Sequence, residues 1–342
     1  MSESDVTREG LRGERTQREA LTGAKAGRRR HRRGRGGRGE QPMVPEAEFS
    51  SYYGKPVLNK PTWKALDIAG YLYLGGLAGA SSLMAAGADV TGRPALARPA
   101  KLGAAGAISL SLVALVHDLG RPARFLNMLR VFKPTSPMSV GSWVLSGYAP
   151  LALGAAAVDL TGRARRVGSP ATAGAAVLGP AVATYTAVLL SDTAVPSWHE
   201  GYRELPYVFA GSGATAAAGL ALAATPPAQA GPARRMAALG AALELGAFQA
   251  MKHRMGLAAE TFEQGKPHRL LRAAETLTAG GAALAVLSGR LRDRRLAVAA
   301  GAALLSGSAA LRFGVFHAGV ASAEDPKYTV VPQRERLAAR EG

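Results

Sequence analysis

The sequence contains no cysteine, which excludes disulfides, thiolate zinc sites and a cysteine-ligated iron–sulfur cluster within the chain. Aromatic residues make up only 6%. Acidic residues are also scarce: 24 Asp+Glu stand against 42 Lys+Arg, a net charge of +18. Such an excess admits nucleic acid or anionic lipid as partner, so its distribution has to decide. What is abundant is small and apolar: 42 of the 342 residues are glycine, and 48% are hydrophobic.

Residues 1–60 lack sustained apolar periodicity and concentrate basic charge in Arg28, Arg29, Arg30, Arg32, Arg33, Arg35 and Arg38, interleaved with glycines. Such a segment buries too little apolar surface to offset its ordering entropy, so a disordered basic tail is expected. An RNA-binding tail is one reading. A solvated tail near acidic lipid headgroups is preferred, because no nucleic-acid module follows.

From residue 65 the character changes. Apolar stretches run at about 65–88, 101–116, 138–158, 171–191, 205–224, 236–251, 273–288 and 296–311. A soluble helical bundle would keep a polar stripe on each helix, and around Leu74–Ala88 or Ala149–Val158 there is none. The expectation is an all-α polytopic membrane protein with about eight transmembrane helices in a bundle. Its parts are a tail at 1–60, a transmembrane domain at 61–320 and a C-terminal extramembrane tail at 321–342. Gly75, Gly76 and Gly79, like Gly211, Ala214 and Ala218, have the small-residue spacing that lets helices approach closely in lipid.

An even helix count places both termini on one side, together with the loops at about 117–137, 192–204 and 252–272. Arginines in the opposite turns dilute the positive-inside signal. The basic tail tips it towards termini in the cytoplasm. The terminal-side loops mix Trp, Pro, Arg and acid in a way that ordinary turns do not need and a docking surface or ligand mouth does. They include His117-Asp118-Leu119-Gly120-Arg121-Pro122-Ala123-Arg124-Phe125, Lys133-Pro134-Thr135-Ser136-Pro137-Met138-Ser139 and the run from Ser191 to Glu200.

With the paired glycines of the first helix, Tyr185-Thr186 and Ala323-Glu324-Asp325-Pro326-Lys327-Tyr328, these motifs resemble the NrfD/PsrC family. Its members are the membrane subunits of polysulfide reductase-like complexes, and the likeness covers about residues 50–335. The resemblance implies eight helices and a quinone site near the membrane surface, for menaquinone or ubiquinone. It also implies a four-cluster ferredoxin-like iron–sulfur partner leading to a molybdopterin subunit that carries the substrate-side catalysis. In the family, the stretch before the paired glycines supplies polar quinone ligands, often Asn and His. The aligned residues here are Asp67 and Tyr71, a departure, while Tyr185 matches the family's quinone-proximal tyrosine.

The residues themselves leave alternatives. Asp67 and Tyr71 share a helix face. They read as ligands to a quinone, or as an Asp satisfied by backbone or arginine and a Tyr in the interfacial belt. Tyr185 has the same two readings. Because imidazole in general titrates near neutral pH, His117 is a candidate for quinone binding and proton relay, whereas Asp118 reads better as a cap paired with Arg121 or Arg124. Glu244 and Arg312, taken as lying in the sixth and late in the eighth helix, are membrane-depth ionisable groups and join the proton-path candidates with Asp67 and His117. Glu244 has the second reading of a charge paired with another inside the bundle. Arg124, Lys133, Trp143 and Trp198 are candidates for partner docking.

No histidine lies within the predicted spans, so haem is not expected, although His117 and His253 sit at helix ends on one side. No metal site is expected. The leading function is a quinone-reactive anchor of an oxidoreductase complex in the cell membrane. The alternatives are a secondary transporter, which should show inverted repeats, and a structural anchor without a working quinone site.

Overall fold

The computed structural model describes residues 6–7, 10–11, 57–121, 123–163 and 165–341. Two units are distinguished: residues 60–323, and residues 1–59 together with 324–342. In the second of these, β1 (Val6–Thr7) pairs antiparallel with β2 (Gly10–Leu11). The rest of the expected basic tail, its arginine run included, lies outside the described residues.

The membrane unit contains α1 (Ala65–Val90), α2 (Pro94–Asp118), the short α3 (Arg124–Met128), α4 (Pro137–Thr161), α5 (Arg165–Ser191) and the short α6 (Pro196–Glu200). It continues with α7 (Leu205–Ala224), α8 (Gly231–Arg254), a 3₁₀ turn at Gly256–Phe262, α9 (Gly265–Leu291) and α10 (Arg294–Glu324). Helix α11 (Lys327–Glu341) belongs to the other unit. Among the described residues there are thus eight long helices, as expected for an all-α polytopic membrane protein. Seven are long and apolar enough to cross a membrane. The eighth, α8, carries Arg234, Arg235, Lys252, His253 and Arg254 near its ends and Glu244 inside, which dilutes its hydropathy without shortening it.

Proline at the first positions starts α2, α4, α7 and α8, where its missing N–H costs nothing and its fixed φ suits a helix. Gly162, at φ +66°, stops α4 in the left-handed conformation that other residues adopt at a cost. The face at which α1 begins is called proximal here, and the other distal.

Helices cross where side chains vanish. A Cβ on Gly76 would lie 3.5 Å from the Gly213 Cα, joining α1 to α7. Gly211 of α7 sits against the backbone of Gly240 and Glu244 in α8, and Gly219 against Gly301 in α10. The small-residue stripes read from the sequence are therefore crossing points.

One predicted boundary shifts. Helix α10 runs to Glu324, thirteen residues past the apolar stretch ending at 311, so Arg312 stands inside the helix rather than at its end. His317 is likewise inside α10, which corrects the expectation that every histidine lies outside the spans. Continued packing of Val315, Phe316 and Ala318 in the core holds this last part of the helix.

Candidate quinone site and buried proton groups

The proximal ends of α1 and α2 bring Asp67 and His117 together: His117 Nδ1 is 2.9 Å from Asp67 Oδ2. An ionised carboxylate only accepts, so Nδ1 carries the donated hydrogen and Nε2 is the atom left to exchange a proton. The placement suits both partners electrostatically. Asp67 lies in the first turn of α1, where the helix dipole favours an anion, and His117 in the last turn of α2, where it favours a cation. The Asp67 side chain is 13% exposed and that of His117 64%, so the carboxylate stands behind the ring that faces outward.

His117 lines a groove of about 430 Å³ with Leu112, Val113, Val116 and Gly120. That volume is in the range of small-molecule sites, and the walls are mainly aliphatic. Val113 is 66% exposed on the same helix face, where lipid would lie. One turn below Asp67 is Tyr71, almost fully buried, its ring meeting Tyr185 edge-on at 6.4 Å. The Tyr185 hydroxyl is buried without a hydrogen-bond partner. Gly141 on α4 leaves the space that the Tyr185 ring fills. An aliphatic groove with an outward imidazole at its edge suits a two-carbonyl ring with an isoprenoid tail, while Tyr185 is not among the residues that line it. Asp118 forms no ion pair with Arg121 or Arg124; Arg124 donates instead to the Leu119 carbonyl at 3.3 Å.

Deeper in the bundle, Glu244 is 1% exposed. Thr278 of α9 donates to its Oε1 at 2.9 Å, and Thr215 of α7 to its Oε2 at 3.1 Å. The Ser212 hydroxyl meets that of Ser308 at 2.8 Å, and the Thr215 hydroxyl also contacts the Ser212 carbonyl at 2.9 Å. Arg312, fully buried, donates to the Phe209 carbonyl at 2.8 Å and lies over the Phe209 ring. Its Nε and Nη1 have no partner. Arg312 reaches the crossing of α1 and α7, where a Cβ on Gly76 would lie 3.0 Å from its Nη2. No ion pair joins Glu244 to Arg312; hydroxyls hold the first, and a backbone carbonyl and an aromatic face the second. The sequence marked Glu244 and Arg312 but not the hydroxyls around them, which come from helices far apart in the chain.

On the proximal surface Arg124 and Lys133 are exposed. Trp143 is 43% exposed and meets Phe132 edge-on at 6.3 Å. Trp198 is elsewhere. It is completely buried, donates to the Val315 carbonyl at 2.8 Å and stacks on Trp63 at 5.8 Å, with Gly319 leaving room for its ring. A ring so enclosed is a packing element and does not offer itself to a partner. Nearby, Arg254 at the end of α8 donates twice to Glu204 at 2.7 Å, as well as to the Glu200 carbonyl. These hydrogen bonds hold the Glu204 carboxyl below its usual value against the opposing effect of burial.

No curated protein matches the chain. The family described as polysulphide reductase, NrfD matches residues 56–229, just over half of the chain, from the approach to α1 through α7. That span holds Asp67, Tyr71, His117 and Tyr185, whereas Glu244 and Arg312 follow it. This polytopic membrane protein belongs to the polysulphide reductase NrfD family.

Proposed function

We propose that the chain is the quinone-reactive membrane subunit of an oxidoreductase complex, exchanging electrons and protons with the quinone pool at the proximal face. The observation that carries this reading is the Asp67–His117 pair at the mouth of an aliphatic groove. A quinone bound there supplies two-electron chemistry coupled to two protons. His117 Nε2 exchanges a proton at a ring oxygen, and Asp67 holds the ring and stabilises its charged form. Tyr185, packed edge-on against Tyr71, is a second candidate hydrogen-bonding group for the quinone. Glu244 and Arg312 serve as proton groups deeper in the membrane.

With no cysteine, the chain hands electrons to a partner. The family supports a four-cluster ferredoxin-like iron–sulfur subunit and, through it, a molybdopterin catalytic subunit. Arg124, Lys133 and Trp143 are the docking residues, offering positive charge and a rigid aromatic to an acidic surface. The basic tail supports a cytoplasmic proximal face. Purification from native membranes tests the whole reading: an iron–sulfur subunit and extractable quinone should accompany the chain. A chain that purifies alone and quinone-free contradicts it.

A further inference from the structure

Glu244 sits between two unlike halves of the membrane. Towards the proximal face the polar groups continue. Thr278, which donates to Glu244, is one turn beyond Glu275 on α9, a spacing that sets Cβ atoms about 5–6 Å apart. Glu275 accepts from Gln249 at 3.1 Å and Lys252 at 3.3 Å, and pairs with Arg272 at 3.5 Å. Gln249 and Arg272 are exposed, so this cluster meets the proximal surface.

Towards the distal face the character is opposite. Along α8 the inward positions after Glu244 are Ala241 and Gly240, then Ala237 and Ala233, the last two packed with Leu222, Ala285, Ala300 and Leu304, all fully buried. The backbones there touch: a Cβ on Gly219 would lie 2.8 Å from the Gly301 carbonyl. Such a layer has no polar side chain of its own to hold a water; the buried Ser288, bonded to the Ala285 carbonyl, and Thr225 lie beyond it towards the distal helix ends. A cavity of about 10 Å³ lined by Ser82, Lys101 and Thr172 lies between α1, α2, α4 and α5. The Ser82 hydroxyl meets that of Tyr148, which ends on the Ala78 carbonyl.

We infer that Glu244 exchanges its proton with the proximal face alone, through Thr278 and the Glu275–Gln249–Lys252 cluster, as a one-sided proton store and not a relay across the membrane. Arg312 lies one turn along α10 from Ser308, whose hydroxyl meets that of Ser212. Its unpartnered Nε and Nη1, fully buried, call for internal water at this depth. The inference rests on reading Glu244 as a proton group, and it holds whether or not quinone binds at Asp67 and His117.

The absence of native cysteine in the chain makes the test direct. Single-cysteine variants Gln249→Cys, Thr278→Cys, Ala237→Cys and Ala285→Cys are prepared in the assembled complex in sealed vesicles. A small membrane-impermeant methanethiosulfonate cation is then applied from each face and scored on this chain after separation. Gln249→Cys and Thr278→Cys should be modified from the proximal face only, and the two alanine positions from neither. If Thr278→Cys does not assemble, Ser212→Cys probes the same hydroxyl shell with a near-isosteric change. Distal modification at 237 or 285 overturns the inference, as does protection of both hydroxyl-shell cysteines from the proximal reagent. Neither result touches the quinone site, which quinone-linked turnover of the unsubstituted complex reads separately.

Discussion

At the scale of single residues, the site joins groups whose relation the sequence could not display. Asp67 and Tyr71 are legible as a pair because four residues of helix put them on one face. The bond from His117 to Asp67 spans 50 positions and depends on how α2 lies against α1. It recasts Asp67 as the group that orients His117. Tyr71→Phe deletes one hydroxyl, worth about 1 kcal/mol if bonded. Because the ring packing survives, quinone-linked turnover should fall only several-fold in a steady-state assay. Trp198 shows the opposite error: an aromatic in a polar loop reads as an anchor for a partner, and the fold draws it inside. Glu204 gives a pH test. Its folded value is lowered from 4.5 by Arg254, so its contribution to stability is present above that value and is lost as pH falls through the lower folded one. In thermal denaturation of the complex, the advantage over Glu204→Gln should be full near neutrality and shrink below about pH 4.5. An advantage that grows in acid contradicts the clamp.

At the scale of helices, the apolar stretches were legible because lipid removes the polar stripe that a soluble helix keeps. Their ends were less so. Helix α10 continues because its later residues are buried against neighbours, a tertiary cause invisible to a hydropathy pattern. Helix α8 reads as the least apolar because its charges gather at its ends, where long side chains reach the interface. Crossing glycines give the sharpest element-level expectation. A Cβ at Gly79 collides with the Gly179 carbonyl of α5, while one at Gly106 of α2 meets nothing within 4 Å. Gly79→Ala should therefore destabilise by about 1–3 kcal/mol as the helices are forced apart. Gly106→Ala should be neutral or stabilise by about 0.5–1 kcal/mol. Detergent-resistance melting of the two variants compares them directly, and equal midpoints would remove the close-packing argument.

At the scale of the whole molecule, polar groups gather at one face: the Asp67–His117 pair, the exposed Arg124 and Lys133 and the Glu275 cluster are all proximal, and the distal connections are short. Topology follows from this. Reporter fusions at Arg163, Arg235 and Arg292 should report one side of the membrane, and a fusion at Arg130 the other. A mixed result within the first set breaks the eight-helix path. What the account claims most centrally is that electrons and protons meet quinone at Asp67 and His117. The direct measurement is quinone-linked turnover of the assembled Asp67→Asn complex, set against its turnover with artificial electron carriers. Asparagine can still accept the His117 hydrogen bond, but it cannot stabilise the charged ring. Quinone-linked turnover should fall by at least about tenfold, the low end for a disabled acid–base group, while turnover with artificial carriers stays normal. Wild-type quinone turnover in Asp67→Asn would contradict the account and leave the pair a structural bond between two helices.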